Sequence, residues 1–133
     1  MTFRKLLHLF RLFVAIMIVP ALALIIWGEL TPQPLPDGLE NYWDKLLHFT
    51  AYFGLALMAT IAVRGDRRAR YWIIGLVVLG GILEIAQTQV GRDGDWHDEL
   101  ANALGVLAGW SIAFSAIALL KSRKLIEDVR KQD

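Results

Sequence analysis

Four long apolar blocks dominate this chain of 133 residues. Each block approaches the ~20 apolar residues that an α-helix needs to cross a hydrocarbon core of ~30 Å. Backbone polar groups inside such a core must be hydrogen-bonded internally, and a helix achieves this within a single segment. The sequence therefore predicts an all-α integral membrane bundle of four transmembrane helices, at about residues 12–30, 46–63, 71–90 and 100–120.

The composition leaves little room for a second domain. Hydrophobic residues make up 56% of the chain, and the remaining residues mostly form short loops and tails around the four blocks. We therefore expect a single transmembrane domain over residues 1–133, with a short interfacial N-terminus and a cytoplasmic C-terminal tail. The chain has no cysteine, which excludes disulfides and thiolate metal sites.

The basic residues lie mostly on one side of the predicted membrane. Twelve of the 14 lysines and arginines fall near the two termini or in loop 64–70, and the other two are Lys45 and Arg92. Cytoplasmic loops of membrane proteins carry an excess of these residues. We expect the chain to lie in a bacterial inner membrane, with both termini and loop 64–70 on the cytoplasmic side. Loops 31–45 and 91–99 are then expected on the outer side. The arginine loop suits anionic lipid headgroups, and we expect no nucleic-acid partner.

The N-terminal block allows a second interpretation. Basic residues, an apolar run and an Ala-x-Ala pattern at Ala21 and Ala23 also fit a cleavable signal peptide. The apolar run continues past that pattern through Trp27, which favours a retained first helix. Residues 3–11 fit an interfacial lead-in to this helix.

Glu84 lies inside the otherwise apolar block 71–90. A carboxylate near hydrocarbon costs at least ~2.5 kcal/mol in insertion assays, so such a residue usually has a partner or a function. At ~100° per residue, Gln87 and several glycines share its helix face. Two interpretations stay open. Glu84 either bonds Gln87, Arg92 or His48 across helices as structural glue, or handles a ligand or a proton.

Two other predicted helices carry polar residues at the same outer level. Asp44 and His48 are one turn apart near the start of the second helix, where a carboxylate also favours the helix dipole. Pairing with Asp44 is the simplest role for His48, and general-base or metal-ligand roles are the alternatives. On the fourth helix, Asp98 and Asn102 share one face within roughly an 80° arc.

Small residues continue the polar face of the fourth helix. Gly105 and Gly109 form a GxxxG pattern, with Ala101 and Ala113 one turn beyond it on either side. Such residues let two helix backbones approach each other closely. We expect this face to pack inside the bundle, although the same pattern also permits a homo-oligomer.

The polar residues of three helices are thus predicted at one level of the membrane. We expect an outward-facing pocket lined by seven of them: Asp44, His48, Glu84, Gln87, Arg92, Asp98 and Asn102. Arg92 suits a clamp for a phosphate or carboxylate, or else an ion pair with a nearby acid. His97 in the outer loop is expected to be solvated. No spacing typical of a metal site occurs, and we expect neither a metal nor another cofactor.

Three short motifs resemble the VanZ-like family of small membrane proteins. They are DKLLHFTAY from Asp44, EIAQ from Glu84, and GRDGDWHDELANALGVLAG from Gly91. The resemblance covers about residues 24–119 and implies a membrane protein of the cell envelope, in a family named for a protein associated with teicoplanin resistance. The sequence departs from this family at Asp95, where relatives often carry Ser or another small polar residue.

Four functions are compatible with these features. The first is binding of an exported or lipid-linked, cell-wall-related ligand by a protein embedded in the bilayer. The second is acid–base catalysis on a lipid-linked substrate, for which Glu84 and His48 are the candidates, although no nucleophile or leaving group is identified. The third is proton-coupled transport, which needs polar residues toward the cytoplasmic side. The fourth is a structural scaffold.

Overall fold

The structure is a computed structural model that describes residues 2–31, 40–91 and 94–130. Its four α-helices are α1 (Phe3–Leu30), α2 (Glu40–Ala62), α3 (Arg68–Gln87) and α4 (Trp96–Arg130). The described ranges contain no strand, so the predicted all-α class is confirmed. All four helices are long and apolar enough to cross a membrane.

The helix ends differ from the apolar blocks at several places. α1 begins at Phe3, so the predicted lead-in and the first transmembrane helix are one continuous helix. α4 likewise continues to Arg130, through most of the predicted tail. α3 is shifted by three residues toward the N-terminus, because it begins at Arg68 and ends at Gln87, and residues 88–91 form turns, with Gly91 at a φ of +79°.

α1 is uninterrupted at residues 21–23, the segment that also fits a cleavage site. Pro20 lies just before this segment and lacks a backbone N–H donor, which membrane helices tolerate. Leu22 and Ile25 pack against the buried core of the other helices. The first apolar block is therefore an integral part of the bundle.

The helix surfaces that face away from the bundle are apolar. Large side chains such as Val19, Ile74 and Leu104 are more than half exposed. Lipid solvates such side chains, whereas a contiguous apolar surface of this extent is rare on soluble monomers. Trp27 and Trp96 are exposed near the same end of the bundle, as is typical of an aromatic belt at a membrane interface.

α2 and α4 form the most extensive helix pair. A Cβ atom at Gly105 would collide with the backbone carbonyl of Phe49, and one at Gly109 would collide with that of Phe53. Ala113 is buried. The small-residue face of α4 therefore lies directly against the backbone of α2, which fixes the relative height of these two helices.

Loop 63–67 joins α2 to α3 and is tied to both other helices. Arg11 of α1 donates hydrogen bonds to two backbone carbonyls at the end of α2, at 3.2 and 2.7 Å. Lys121 of α4 donates to the carbonyl of Arg64 at 3.1 Å, and Arg64 has a positive φ of 61°. This end of the bundle carries the basic loop, and the candidate site lies at the opposite end.

Candidate functional site

All four helices contribute buried polar side chains to one end of the bundle. They are Glu29 at the end of α1, His48 on α2, Glu84 and Gln87 at the end of α3, and Asp98 and Asn102 at the start of α4. We call these six residues, together with the partly buried Asp44, Lys45, Asp95 and Glu99, the polar cluster. Of the seven residues predicted to line a pocket, the structure brings six together here. Arg92 lies outside the described residues.

The imidazole of His48 lies near the middle of the polar cluster. Its Nδ1 atom is 3.1 Å from Oδ1 of Asn102. The Asn102 side-chain nitrogen faces the other way and donates to Oε2 of Glu99 at 3.4 Å. Because an amide oxygen only accepts hydrogen bonds, Nδ1 of His48 carries the proton in this arrangement. In the neutral ring, Nε2 then keeps its lone pair.

Three carboxylates surround this ring without reaching hydrogen-bonding distance. Oε1 of Glu29 is 3.6 Å from Nδ1, and Oε1 of Glu84 is 3.9 Å from the same nitrogen. On the other side, Oδ1 of Asp44 is 3.9 Å from Nε2. The expected pairing of Asp44 with His48 is thus an electrostatic contact, and the direct hydrogen bond of His48 goes to Asn102.

Glu84 is fixed at one oxygen and open at the other. Its Oε2 atom accepts a hydrogen bond from the backbone N–H of Asp95 at 3.1 Å. Its Oε1 atom is buried without a hydrogen-bond partner among the described residues, as is Nε2 of Gln87. A hydrogen bond from Gln87 to Glu84, one of the alternatives considered for this carboxylate, is therefore not made. Both side chains keep polar atoms that point into the interior without a partner from the described chain.

Lys45 joins α2 to the start of α4. Its Nζ atom is 3.0 Å from Oδ2 of Asp95 and 3.1 Å from Oδ1 of Asp98. Lys45 is one of the two basic residues predicted on the outer side, and the structure engages it with two carboxylates. Its positive charge offsets the charge of Asp98, which is only 3% exposed.

Asp95 organises the turn before α4. It accepts hydrogen bonds from the backbone N–H and the imidazole Nδ1 of His97, at 3.0 and 2.6 Å. These contacts and the ammonium of Lys45 hold the pKa of Asp95 well below its usual range, with the backbone N–H of His97 as the largest cause. The residue that departs from the VanZ-like pattern thus has a structural role here. His97 itself is exposed and stacks on Trp96, outside the polar cluster.

Two glycines allow α3 and its following loop to approach α4. A Cβ atom at Gly80 would lie 3.0 Å from Nδ2 of Asn102 and would collide with the Glu99 carboxylate. A Cβ atom at Gly94 would lie 2.8 Å from the carbonyl oxygen of Glu84. The polar face of α3 therefore reaches the polar end of α4 because Gly80 lacks a side chain, and the loop before α4 reaches the end of α3 because Gly94 lacks one.

Glu29 and Glu99 belong to the cluster but were absent from the predicted pocket. Glu29 is the first acid in the sequence and ends an apolar block, a signal that could have been used. A helix end is also where an ordinary exposed acid is expected. Glu99 follows Asp98 directly, and adjacent residues of a helix point in different directions. Whether the side chain of Glu99 faces α3 therefore depends on how α4 is rotated relative to α3.

Below the polar cluster the interior of the bundle is apolar. Tyr52, Leu55 and Leu76 form its core with Ala56 and Val106. Thr60 is buried farther along α2, and its hydroxyl is bonded to a carbonyl of its own helix at 2.7 Å. Within the described residues, buried carboxyl and imidazole side chains are thus confined to one end of the bundle.

Comparisons of the chain with protein-family models, with curated proteins and with solved structures find no match. The resemblance to the VanZ-like family therefore stays a prediction from the sequence motifs. A function for the chain has to be argued from the polar cluster and its surroundings.

Proposed function

We propose that this chain is a VanZ-like protein of the bacterial cytoplasmic membrane whose polar cluster is an outward-facing pocket for an exported or lipid-linked ligand. The distribution of basic residues supports this orientation, because the cluster lies at the end opposite loop 64–70. The three motifs behind the family resemblance are far apart in sequence. In the fold, their polar residues His48, Glu84 and Asn102 meet in one place.

The observation that carries this proposal is that the cluster contains buried polar atoms without a hydrogen-bond partner among the described residues, two of them on Glu84 and Gln87. Oε1 of Glu84 and Nε2 of Gln87 are buried. Glu84 as a whole is only 8% exposed, and Gln87 only 1%. Buried polar atoms are nearly always hydrogen-bonded in proteins, to protein groups or to bound molecules. One acceptor and one donor, on residues one helical turn apart on α3, therefore suit the polar groups of a ligand and its accompanying water.

The composition of the polar cluster favours a particular ligand chemistry. Its described carboxylates outnumber its basic groups, and Lys45 is already held by two of them. Hydroxyl, amide and amine groups, such as those of sugars and peptides in cell-wall precursors, suit such a surface better than a bare anion. The exposed Trp27 and Trp96 support a position of the cluster near the headgroup level, where the polar part of a lipid-linked molecule lies.

The alternatives are less well supported by the contacts of the described residues. A scaffold alone would be expected to satisfy Glu84 and Gln87 internally. Proton-coupled transport needs polar groups across the bundle, but the interior beyond Tyr52 is apolar. Acid–base catalysis requires a reacting bond near Glu84 and His48, and the ten residues of the polar cluster include no hydroxyl or thiol nucleophile.

A direct test is native mass spectrometry of the full chain, purified from membranes in a mild detergent. We expect the wild type to carry a bound lipid-linked species that is lost from Glu84→Gln, a variant of nearly equal size. Asp66→Asn is the matched control, because it removes an exposed carboxylate at the opposite end. If all three proteins carry the same bound species in the same amounts, the cluster is not the binding site.

A cellular test separates function from folding. Glu84→Gln and Asp98→Asn are expressed separately, and the amount of folded protein in membranes is compared with susceptibility to teicoplanin and other envelope-targeting antibiotics. Near-normal abundance with a lost phenotype supports a functional pocket. A phenotype that falls only in step with the amount of protein would instead support the scaffold.

A further inference from the structure

We infer that Asp44, His48 and Asp98 form a site for a divalent metal ion of the zinc or manganese type. This site goes beyond the proposed function, since it requires no organic ligand. Asp44 and His48 come from one turn of α2 and Asp98 from the first turn of α4. No sequence spacing links these three residues, and only the docking of α2 against α4 brings them together.

The geometry is that of an open three-ligand site. Each of the three side chains offers one ligand atom, and these atoms all lie within 4.8 Å of one another. Zinc bonds nitrogen and carboxylate oxygen at ~2.0–2.2 Å, so neighbouring ligand atoms around an ion are ~3–4 Å apart. The side chains therefore need to close by about 1 Å or less around an ion. Rotation of two carboxyl groups at the ends of their side chains is enough for such a movement.

The imidazole of His48 is oriented as a metal ligand. Its Nδ1 atom is bonded to Asn102 at 3.1 Å, which directs the lone pair of the neutral ring to Nε2 on the side of Asp44. Metal-binding histidines almost always donate their second ring N–H to a carbonyl or carboxylate in this way. His48 is 5% exposed, and Nε2 has no hydrogen bond to any described residue. The ring nitrogen that Asn102 leaves available thus lies 3.9 Å from the carboxylate of Asp44.

The charge around this space also favours a cation. Asp44 and Asp98 are carboxylates on the side of Nε2, and Glu29 and Glu84 approach the ring from the side of Nδ1. Burying several carboxylates together is costly unless their charge is compensated. Lys45 compensates Asp98 and Asp95 from the surface side, at 3.1 and 3.0 Å. A divalent ion at Nε2 would add positive charge beside the carboxylates of Asp44 and Asp98.

The set of donor atoms narrows the choice of ion. One imidazole nitrogen with two carboxylate oxygens suits zinc, manganese or iron better than calcium, which prefers oxygen ligands alone. Three protein ligands leave further coordination positions for water. Magnesium is disfavoured because it seldom accepts an imidazole nitrogen in place of oxygen.

The test is a measurement of metal content on the full chain in detergent. The protein is stripped with a chelator, incubated with Zn²⁺ or Mn²⁺ alone, freed of unbound metal, and analysed by plasma mass spectrometry. We expect about one ion per chain in the wild type and in Asp66→Asn, and at least a tenfold lower occupancy in Asp44→Asn and Asp98→Asn. Equal occupancy in all four proteins would place the ion elsewhere and overturn the site.

A second measurement does not depend on the variants being folded. The unfolding temperature of the stripped wild type is recorded with increasing Zn²⁺, Mn²⁺ or Mg²⁺. A saturable rise with Zn²⁺ or Mn²⁺ and little with Mg²⁺ is expected, because an ion bound only by the folded state stabilises it. No rise with Zn²⁺ or Mn²⁺, together with no retained metal, would overturn the site. Neither measurement involves an organic ligand, so a failed pocket and a failed metal site are distinguishable.

Discussion

Nδ1 of His48 and Oδ1 of Asn102 lie 3.1 Å apart and join α2 to α4 inside the polar cluster. One turn farther along α4, Gly105 lies against the backbone of α2 at Phe49, next to His48. The packing of Gly105 on α2 brings Asn102 within hydrogen-bonding distance of His48, and the hydrogen bond in turn stabilises this packing. Together they determine which atoms of the ring face Glu84 and which face Asp44.

Loss of this hydrogen bond should be measurable as lost stability. Asn102→Leu leaves the buried N–H of His48 without its acceptor and is expected to lower the free energy of unfolding by ~1–3 kcal/mol. Asn102→Asp keeps an acceptor oxygen in place and serves as the comparison for the hydrogen bond itself. The measurement is thermal or denaturant unfolding in detergent, followed by tryptophan fluorescence. Equal stability of wild type and Asn102→Leu would show that the bond contributes nothing.

The contact between α2 and α4 predicts a contrast between two glycines. Gly109→Val places a side chain against the backbone carbonyl of Phe53, which cannot move aside without separating the helices. Overpacking of this kind costs ~1–3 kcal/mol or more, so less folded protein is expected in membranes. Gly75→Ala is the control, because a Cβ atom there meets nothing within 4 Å. That variant should be as abundant as the wild type or more so, since alanine favours a helix by ~1 kcal/mol.

Lys45 should contribute more to the stability of the fold than a fully exposed basic residue does. Lys45→Met leaves the buried carboxylate of Asp98 without its cation, and we expect a loss of ~1–3 kcal/mol in the free energy of unfolding. Arg68→Met removes a bidentate contact to Asp66 on the exposed loop at the other end. Exposed ion pairs contribute little, so this control should remain close to the wild type. Similar losses in both variants would contradict the role assigned to Lys45.

The lowered pKa of Asp95 predicts a pH-dependent contribution to stability. Its pKa in the folded protein lies below the ~3.9 of an unfolded aspartate, because of the His97 N–H groups and Lys45. The stabilising contribution of Asp95 is therefore fully present above about pH 4 and is lost as the pH falls through the folded value. The stability difference between wild type and Asp95→Asn should shrink as the pH falls below 4. A difference that is independent of pH throughout would contradict this.

Much of the fold followed from apolar block length and helical periodicity. Four blocks of nearly spanning length predicted four helices, and the spacing of Glu84 with Gln87 and of Asp98 with Asn102 put the right residues on shared faces. Short loops make consecutive helices antiparallel neighbours. The polar ends of these helices were therefore predicted at the same level of the membrane. These features depend on the geometry of a single helix, which can be predicted from the spacing of residues in the sequence.

The pairing inside the cluster could not be predicted in the same way. His48 was expected to pair with Asp44 on its own helix, but the depth at which Gly105 packs on α2 brings Asn102 closer. Glu29 enters the cluster only because α1 reaches the same level as the other three helices. Such contacts depend on the relative height and rotation of helices, and periodicity within one helix contains no information about either.

The central claim is that the polar cluster faces the outside of the cell. The chain has no cysteine, so single cysteines can be introduced without removing native ones. Gln89→Cys places a thiol at the exposed turn beside the cluster, and Arg67→Cys places one in the exposed loop at the opposite end. Intact cells are treated with a membrane-impermeant maleimide, and labelling is compared with that of permeabilised cells. We expect Cys at position 89 to be labelled in intact cells and Cys at position 67 only after permeabilisation. The reverse pattern would put the cluster in the cytoplasm and contradict a pocket for exported ligands.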